Sequence, residues 1–216
     1  MAAVAAIVCA FGWYRAAARS AATAIPWPLS AVVRPGAETK VVVSDGAQAG
    51  EATICSARDL NRRALEQGKF VFVGAPTSNP WVSLFSGKLN FQVVEDGVGG
   101  KMYFLNRRPR PGEQPIYQGL KHTGSAGENY ATISPLPRDS GQGNVLILQG
   151  LRQEGTEALG VLLADAADRT ALKHALDAHR GMRDSPYFEA LIRAQAVAGA
   201  PLSIGIVDTR TIPPAG

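Results

Sequence analysis

Two turns of this sequence hold the residues whose types and spacing could bind a small molecule. In each turn a short apolar run, FVFV or VLIL, leads to a glycine and a polar segment, and a helix is expected to start shortly afterwards. Hydroxyl and amide side chains there would exchange hydrogen bonds with a ligand, and glycine would let the backbone approach it closely. Helix N-termini add free N–H groups and a positive partial charge. The six candidate ligand-binding residues are Gly74, Ser78, Asn79, Gly150, Gly155 and Thr156.

The same residue types also have a purely structural explanation. Asn79 stands directly before Pro80, and asparagine before proline is typical of a helix N-cap followed by the first helical residue. The segment around Thr156 is likewise explained by the start of a helix. Neither turn carries the G-x-G-x-x-G dinucleotide fingerprint or the G-K-[ST] ending of a P-loop. Ligand binding and helix capping therefore both remain open for these residues.

Catalytic and metal-binding patterns are not found in this sequence. His174 and His179 are five positions apart, so they do not share a helical face as a metal pair at i, i+4 would. The two cysteines and three histidines match no metal-ligand spacing. We therefore expect no catalytic residue, no metal and no cofactor. An enzyme would need a carboxylate, for instance Glu113 or Glu157, to project into the crevice beside the two turns.

Composition and charge narrow the class of protein. Apolar residues make up 46% and charged residues 19% of the 216 residues, which is typical of a globular domain. The net charge is +4, and its densest point is the proline-rich run Arg107-Arg108-Pro109-Arg110. A nucleic-acid surface usually combines a basic stripe with stacking aromatics or a known motif. The run is therefore interpreted as a solvated turn, and no nucleic-acid partner is expected for this chain.

The elements that must position the two turns follow from the apolar pattern. The fully apolar or β-branched runs are typical of strands buried on both faces of a sheet. Predicted strands lie at 40–44, 70–73, 130–134 and 144–149, with a hairpin at 90–105 and a long loop at 106–127. Predicted helices span 56–67 and 168–179. A short helix is predicted to begin at Pro80, and another is predicted to end near residue 164.

The end of the chain is predicted to be a hairpin over 187–206, with a helix over 187–197 as the alternative. The expected fold class is α/β, with three layers: a mixed, mostly parallel sheet, helices on both of its faces and a C-terminal β-hairpin. If the strands at 70–73 and 144–149 are neighbours, the two glycine turns face one crevice at the carboxyl edge of the sheet.

The first 24 residues form a hydrophobic segment in front of this domain. Ala2 to Tyr14 carries no charge, and Arg15 follows it, as at the aromatic and basic edge of a membrane helix. The stretch reaches only about two thirds of a bilayer core of roughly 30 Å. Three interpretations remain: the end of a longer transmembrane helix, an atypical signal peptide, or a buried helix. Residues 25–216 are expected to form a single α/β domain, beginning with the proline-rich connector 25–29.

Several stretches resemble an uncharacterised bacterial domain that follows a single membrane helix, often behind a winged-helix DNA-binding domain as in ToxR/CadC-type regulators. They are VVVSD, FVFVGAPTSNPW, LNF, ENY, NVLILQGLRQEGTEALG, YFEALIR and the run 106–117 with its PGEQ. The resemblance covers roughly residues 25–210, and its most specific parts are GAPTSNPW, PGEQ and EGTEA. A winged-helix portion is missing here, so the resemblance implies no DNA binding by this chain.

The function expected from the paired turns and from the resemblance is that of a ligand-sensing or interaction domain in signal transduction. The domain would be anchored at a membrane by residues 1–24 and would lie on the periplasmic or extracytoplasmic side. Its expected partners are an unidentified small molecule, the membrane and a second copy in a homodimer. Two alternatives remain open: an enzyme acting on a small phosphorylated or nucleoside-like molecule, and a dimerisation module.

Overall fold

Runs of β-branched and other apolar residues build most of the fold, which is described here from a computed structural model. The structure describes residues 27–28, 39–43, 53–67, 69–97, 100–121, 126–138, 144–178, 186–197 and 200–213. The strands are β1 (Thr39–Val43), β2 (Thr53–Ser56), β3 (Lys69–Val73), β4 (Phe91–Asp96), β5 (Lys101–Asn106), β6 (Ile116–Gln118), β7 (Leu120–Lys121), β8 (Ala126–Pro137), β9 (Asn144–Gly150), β10 (Phe188–Val197) and β11 (Ala200–Thr211). The helices are α1 (Arg62–Gln67), a 3-10 helix (Pro80–Lys88), α2 (Gln153–Ala164) and α3 (Ala166–Ala178).

These strands form a large sheet and a small one. The large sheet has the order β11–β10–β8–β9–β3–β1–β2, and β7 pairs with β8 beside this path. Its neighbours β9, β3, β1 and β2 are parallel, whereas the other pairings among the described strands are antiparallel. The small sheet, in the order β4–β5–β6, is antiparallel throughout. The predicted mostly parallel sheet is therefore wrong, because antiparallel pairings outnumber parallel ones.

The antiparallel pairings come partly from strands and hairpins that were predicted and partly from strands within the predicted long loop. The stretch 106–127, predicted as one long loop, contains β6, β7 and the first residues of β8. The predicted hairpin at 90–105 is confirmed as β4 and β5, and β10 and β11 form an antiparallel hairpin in place of the alternative helix. Antiparallel strands need only short turns, whereas parallel strands need long crossovers that are usually helical. The large sheet therefore gains antiparallel pairings of β7, β9 and β10 with β8, and of β10 with β11, where mostly parallel ones were predicted.

Helices cover the two faces of the large sheet unequally. On the first face, α2 and α3 pack leucines such as Leu159 and Leu172 against Val71 of β3 and Leu148 of β9. The second face is covered by the 3-10 helix, the six-residue α1 and the small sheet. The prediction of helical layers on both faces is therefore wrong.

The predicted membrane helix falls on residues 1–24, which lie outside the described residues. Within the part of the chain that the structure describes, no helix has the length and apolar content needed to cross a bilayer. The described residues therefore give no support to the predicted membrane anchor and extracytoplasmic location. The predicted role as a sensor in signal transduction, which came from the paired turns and the resemblance, likewise has no support in the described residues.

Candidate functional site

The two glycine turns lie at the same edge of the large sheet. β3 and β9 are parallel neighbours, with Val73 opposite Leu148. The N–H of Gly74 donates to the carbonyl oxygen of Leu148 at 2.9 Å, two residues before Gly150. After this edge the chain passes from β3 to the second face and from β9 to the first face. Adjacent parallel strands whose connections separate in this way leave a crevice at their carboxyl ends, the usual ligand position in open α/β sheets.

In the turn after β3, the polar side chains hydrogen-bond to backbone carbonyl groups of the protein. Gly74 has a φ of 109°, a left-handed conformation that favours glycine. Ser78 is exposed, and its hydroxyl donates to the carbonyl oxygen of Ala75 at 3.1 Å. Asn79 is fully buried, and its Nδ2 donates to the carbonyl oxygens of Val42 and Val73 at 3.2 Å each. Asn79 therefore ties the ends of β1 and β3 together, and its side chain does not cap the 3-10 helix.

The second turn brings its three candidate residues into mutual contact. A Cβ atom on Gly150 would lie 2.4 Å from the backbone nitrogen of Thr156, and one on Gly155 would lie 2.8 Å from the carbonyl oxygen of Tyr130. The hydroxyl of Thr156 donates to the carbonyl oxygen of Arg152 at 3.3 Å. Glycine at both positions thus allows the first turn of α2 to lie directly on β8 and β9. The space that a phosphate would need at this helix start is occupied by the protein itself.

A group of buried polar residues that the sequence does not single out lies beside this edge, on the second face. Thr132 of β8 is the register partner of Gln149 of β9, and Ser134 is the partner of Ile147. Ile147 belongs to the second-face core, and alternate residues of a strand share a face. The side chains of Thr132, Ser134 and Gln149 therefore share that face, and we call them the polar seam.

The polar seam is buried, and three of its side-chain atoms have no hydrogen-bond partner among the described residues. Thr132 and Ser134 are 0% exposed and Gln149 is 1% exposed. None of the described residues offers a hydrogen-bond partner to Thr132 Oγ1, Ser134 Oγ or Gln149 Nε2. Asn79 Oδ1, near the end of β3, also has no hydrogen-bond partner among the described residues. More than nine in ten buried polar groups in folded proteins have a partner, so four such atoms need an explanation.

Two apolar clusters flank the polar seam. On one side lies the cluster of β1, β3 and the 3-10 helix, which includes Phe72 and Ile147. On the other side lies a cluster that joins the small sheet to β8 and β10 and includes Phe91, Tyr130 and Leu191. Tyr130 is two residues before Thr132 and shares its face of the sheet. The polar groups thus occupy a band between two apolar walls.

A second polar group, which we call the ionic clasp, lies on the same face at the outer strand β11. It consists of Glu113, Asp208, Arg110 and Arg210. Arg210 Nη2 lies 2.5 Å from Glu113 Oε2, and Arg210 Nη1 lies 2.6 Å from Asp208 Oδ2. Arg110 lies 3.7 Å from Asp208 and 4.0 Å from Glu113. Arg210 also lies 5.1 Å over the ring of Phe91. In contrast to the polar seam, each charged group of the clasp has an opposite charge beside it.

The pKa values of the two clasp carboxylates are shifted in opposite directions. Burial acts to raise the pKa of Glu113, but hydrogen bonds from Asp208, the Arg110 backbone, Asn106 and Arg210 lower it to about 2. Burial and the adjacent Glu113 raise the pKa of Asp208. The two groups therefore titrate as a coupled pair. Glu113 was one of two example carboxylates for the enzyme alternative, but it pairs with Arg210 of β11, four strands away from β3.

Glu189 of β10 connects the two sheets beneath the clasp. Its side chain is fully buried and accepts hydrogen bonds from the backbone N–H groups of Asn90, at 2.7 Å, and Phe91, at 3.2 Å. Burial raises its pKa to about 8, so it is mostly protonated at neutral pH. Glu157, the other carboxylate considered for an enzyme, is buried in α2 and accepts a hydrogen bond from Gln153 Nε2 at 2.8 Å.

Comparison with known proteins finds no family model, no curated protein and no solved structure that matches this chain. The resemblance to the domain that accompanies ToxR/CadC-type regulators, and the expected homodimer, therefore stay predictions.

Proposed function

We propose that this domain binds a small molecule through the polar seam, beside the carboxyl edge shared by β3 and β9. The observation that carries the proposal is the set of buried seam atoms to which the described chain offers no hydrogen bond. Each buried polar atom left unpaired costs about 1–3 kcal/mol, so these groups are costly to the fold alone. A bound molecule that hydrogen-bonds them would account for their presence.

The location of the polar seam supports the same proposal. Gln149 is the residue before Gly150, so the seam begins where the connections of β3 and β9 separate to opposite faces. The six residues first considered have two roles under this proposal. Gly74, Ser78, Gly150, Gly155 and Thr156 shape the edge through backbone contacts, whereas Asn79 offers its Oδ1 to the ligand.

Entry of a ligand requires movement of the cover over the polar seam. The unpartnered atoms have almost no solvent contact, and the small sheet lies on the same face. The small sheet is held there by Glu189 and by the clasp between Glu113 and Arg210. Under the proposal, binding is therefore accompanied by local opening of the small sheet.

The test is a thermal-shift screen of the full chain against nucleosides, sugars, amino acids and their phosphorylated forms. It is repeated with Thr132→Val and Gln149→Leu, which remove seam hydrogen bonds, and with Thr211→Val, which alters an exposed threonine of the same sheet. A compound that stabilises the wild-type chain and Thr211→Val but neither seam variant supports the proposal. Stabilisation that both seam variants retain would place the site elsewhere in the molecule.

The enzyme alternative has less support in this geometry. Glu113 is engaged with Arg210 and Asn106, and Glu157 with Gln153, so neither carboxylate is without a partner. Within the described ranges the candidate for a general acid or base at the seam is Glu189, whose oxygens already accept two backbone hydrogen bonds.

A further inference from the structure

We infer that the polar seam takes an uncharged, hydroxyl-rich ligand, a polyol or a monosaccharide, and discriminates against its phosphorylated form. This inference rests on the proposed function. It is drawn from the chemistry of the atoms that lack partners, from the state of the neighbouring charges and from the geometry of the α2 start.

At the seam and at Asn79 the unpartnered atoms are neutral and balanced between donors and acceptors, whereas the other two among the described residues, Arg138 Nε and Asp208 Oδ2, lie beyond the end of β8 and in the clasp. The hydroxyls of Thr132 and Ser134 can each donate one hydrogen bond and accept others, Gln149 Nε2 donates, and Asn79 Oδ1 accepts. A ligand hydroxyl has the same dual character, so adjacent hydroxyls can pair with a row of such groups. A phosphate or carboxylate offers only acceptors when ionised, which would leave Asn79 Oδ1 facing another acceptor.

The charges of the clasp, on the same face as the seam, already neutralise one another. Arg210 is paired with both Glu113 and Asp208, and Arg110 lies close to the same two carboxylates. Glu189 is mostly protonated at neutral pH, because burial raises its pKa. An anion buried at the seam would need a cation of its own, since an unpaired buried charge is far more costly than a neutral polar group. An uncharged ligand has no such requirement.

The helix start that normally receives a phosphate is closed here. In phosphate-binding turns, glycines open space for the anion in front of the free N–H groups of the helix. In this chain the glycine positions face protein atoms instead: Thr156 N at Gly150, and the carbonyl oxygen of Tyr130 at Gly155. A negatively charged group there would also approach that carbonyl oxygen, which repels it.

Aromatic rings next to the polar seam suit the apolar faces of a sugar ring. Tyr130 precedes Thr132 by two residues on the same face, and its ring centroid lies 5.5 Å from that of Tyr117. Phe91 lies 6.0 Å from Tyr117 in an edge-on arrangement. A band of hydrogen-bonding groups beside aromatic rings provides both contacts that a polyhydroxylated ring makes, through its hydroxyls and through its C–H faces.

The experiment compares matched pairs of probes on the full chain. Glucose with glucose 6-phosphate and myo-inositol with inositol 1-phosphate are titrated by calorimetry and by ligand-observed NMR. We expect a neutral member to bind, its phosphorylated partner to bind at least about tenfold more weakly, and Gln149→Leu to weaken the neutral probe by about tenfold. Thr132→Ser, which keeps the hydroxyl, and the surface variant Thr211→Val are expected to retain binding.

The possible failures of the two proposals are distinguishable. A phosphorylated or otherwise charged compound that binds more tightly than its neutral partner, and whose binding Gln149→Leu abolishes, would overturn the ligand class while leaving the seam as the site. A neutral probe that binds equally well to Gln149→Leu and Thr132→Val would overturn the inference and the proposed site together. Binding of none of the probes or screened compounds, with the seam atoms of a crystal structure hydrogen-bonded to ordered water only, would also overturn both.

Discussion

The polar seam and the ionic clasp are both buried polar groups on the second face of one sheet, yet they are built in opposite ways. In the clasp, Arg210 is shared by two carboxylates, and Asn106 donates a further hydrogen bond to Glu113 at 2.9 Å. In the seam, the described chain leaves Thr132 Oγ1, Ser134 Oγ and Gln149 Nε2 without a partner. The seam is fully buried, and in the clasp Arg210 and Asp208 are buried whereas the side chain of Arg110 is 42% exposed. The comparison that matters is between the buried seam and the buried part of the clasp, which differ in pairing.

This difference separates two reasons for burying a polar group. A paired cluster such as the clasp fixes one arrangement of neighbouring elements, here residues 106–115 against β11, and removing one member leaves the others unpaired. An unpaired cluster contributes nothing to the fold that an apolar side chain would not supply better. The comparison therefore predicts that substitutions in the clasp lower the free energy of unfolding and that substitutions in the seam leave it nearly unchanged.

The largest effect is expected from Arg210→Met. The substitution leaves two carboxylates beside a buried apolar side chain and removes the contact with the Phe91 ring. Breaking a buried ion pair in this way costs about 3 kcal/mol or more. We expect a loss of this size in the free energy of unfolding, measured by urea denaturation followed by circular dichroism.

The matched control for this change is Arg193→Met. Arg193 also lies beside a carboxylate, Glu128 at 3.9 Å, but its side chain is 51% exposed. Exposed ion pairs contribute about 0–1 kcal/mol, so this variant should unfold close to the wild-type chain. Equal losses in the two variants would mean that the clasp contributes no more to the free energy of unfolding than an exposed ion pair does. The contrast between the clasp and the seam would then be wrong.

A pH dependence of intermediate size is expected from Glu189. Its pKa is raised by burial from an unfolded-state value near 4.5 to about 8 in the fold. The folded chain therefore holds a proton that the unfolded chain has lost, and stability falls as pH rises through the interval between those two values. Below this interval the contribution is fully present, and above about pH 8 it is gone.

The test compares the wild-type chain with Glu189→Gln in denaturation series from pH 5 to pH 9. The variant cannot titrate at this position, so its free energy of unfolding should decline less steeply with pH than that of the wild-type chain. Asp208 and Arg210, the charged neighbours of Glu189, are present in both proteins, and their own titration is shared by the two curves. Parallel curves would show that Glu189 is ionised in the fold and paired with Arg210.

The sequence predicted the parallel strands β3 and β9 better than the antiparallel strands of the same sheet. FVFV and VLIL read as buried strands because every residue in them is apolar, and their parallel pairing brings the glycine turns to one edge. In the antiparallel half the hairpin of β10 and β11 was predicted, but the pairings of β8 with β10 and β9 were not, since β8 runs to Pro137 through two prolines and alternates polar with apolar residues. The fold class was therefore wrong although several of its strands were correctly located.

The polar seam illustrates why sequence pattern alone does not locate this site. Thr132 and Ser134 alternate with Ala131 and Ile133, the pattern of a strand with one face in water. The face with the hydroxyls is instead covered by the small sheet, which packs against β8 through contacts between residues distant in sequence. No local pattern distinguishes a polar strand face in water from a polar face that a second sheet buries. The sequence pattern therefore points to the glycine turns and not to the seam.

The smallest expected effect completes the contrast between the two regions. Thr132→Val replaces a buried hydroxyl without a partner in the described chain by a methyl group of similar shape. Because no hydrogen bond within the protein is lost and a polar group is removed from an apolar interior, the free energy of unfolding should stay unchanged or rise by about 1 kcal/mol. Ser134→Ala should behave in the same way, whereas Thr156→Val loses the bond to Arg152 and should be mildly destabilised. A loss of more than about 1 kcal/mol in Thr132→Val without any ligand would mean that internal water already satisfies the seam. The seam would then resemble the clasp in being structural, and the reason for assigning it to a ligand would disappear.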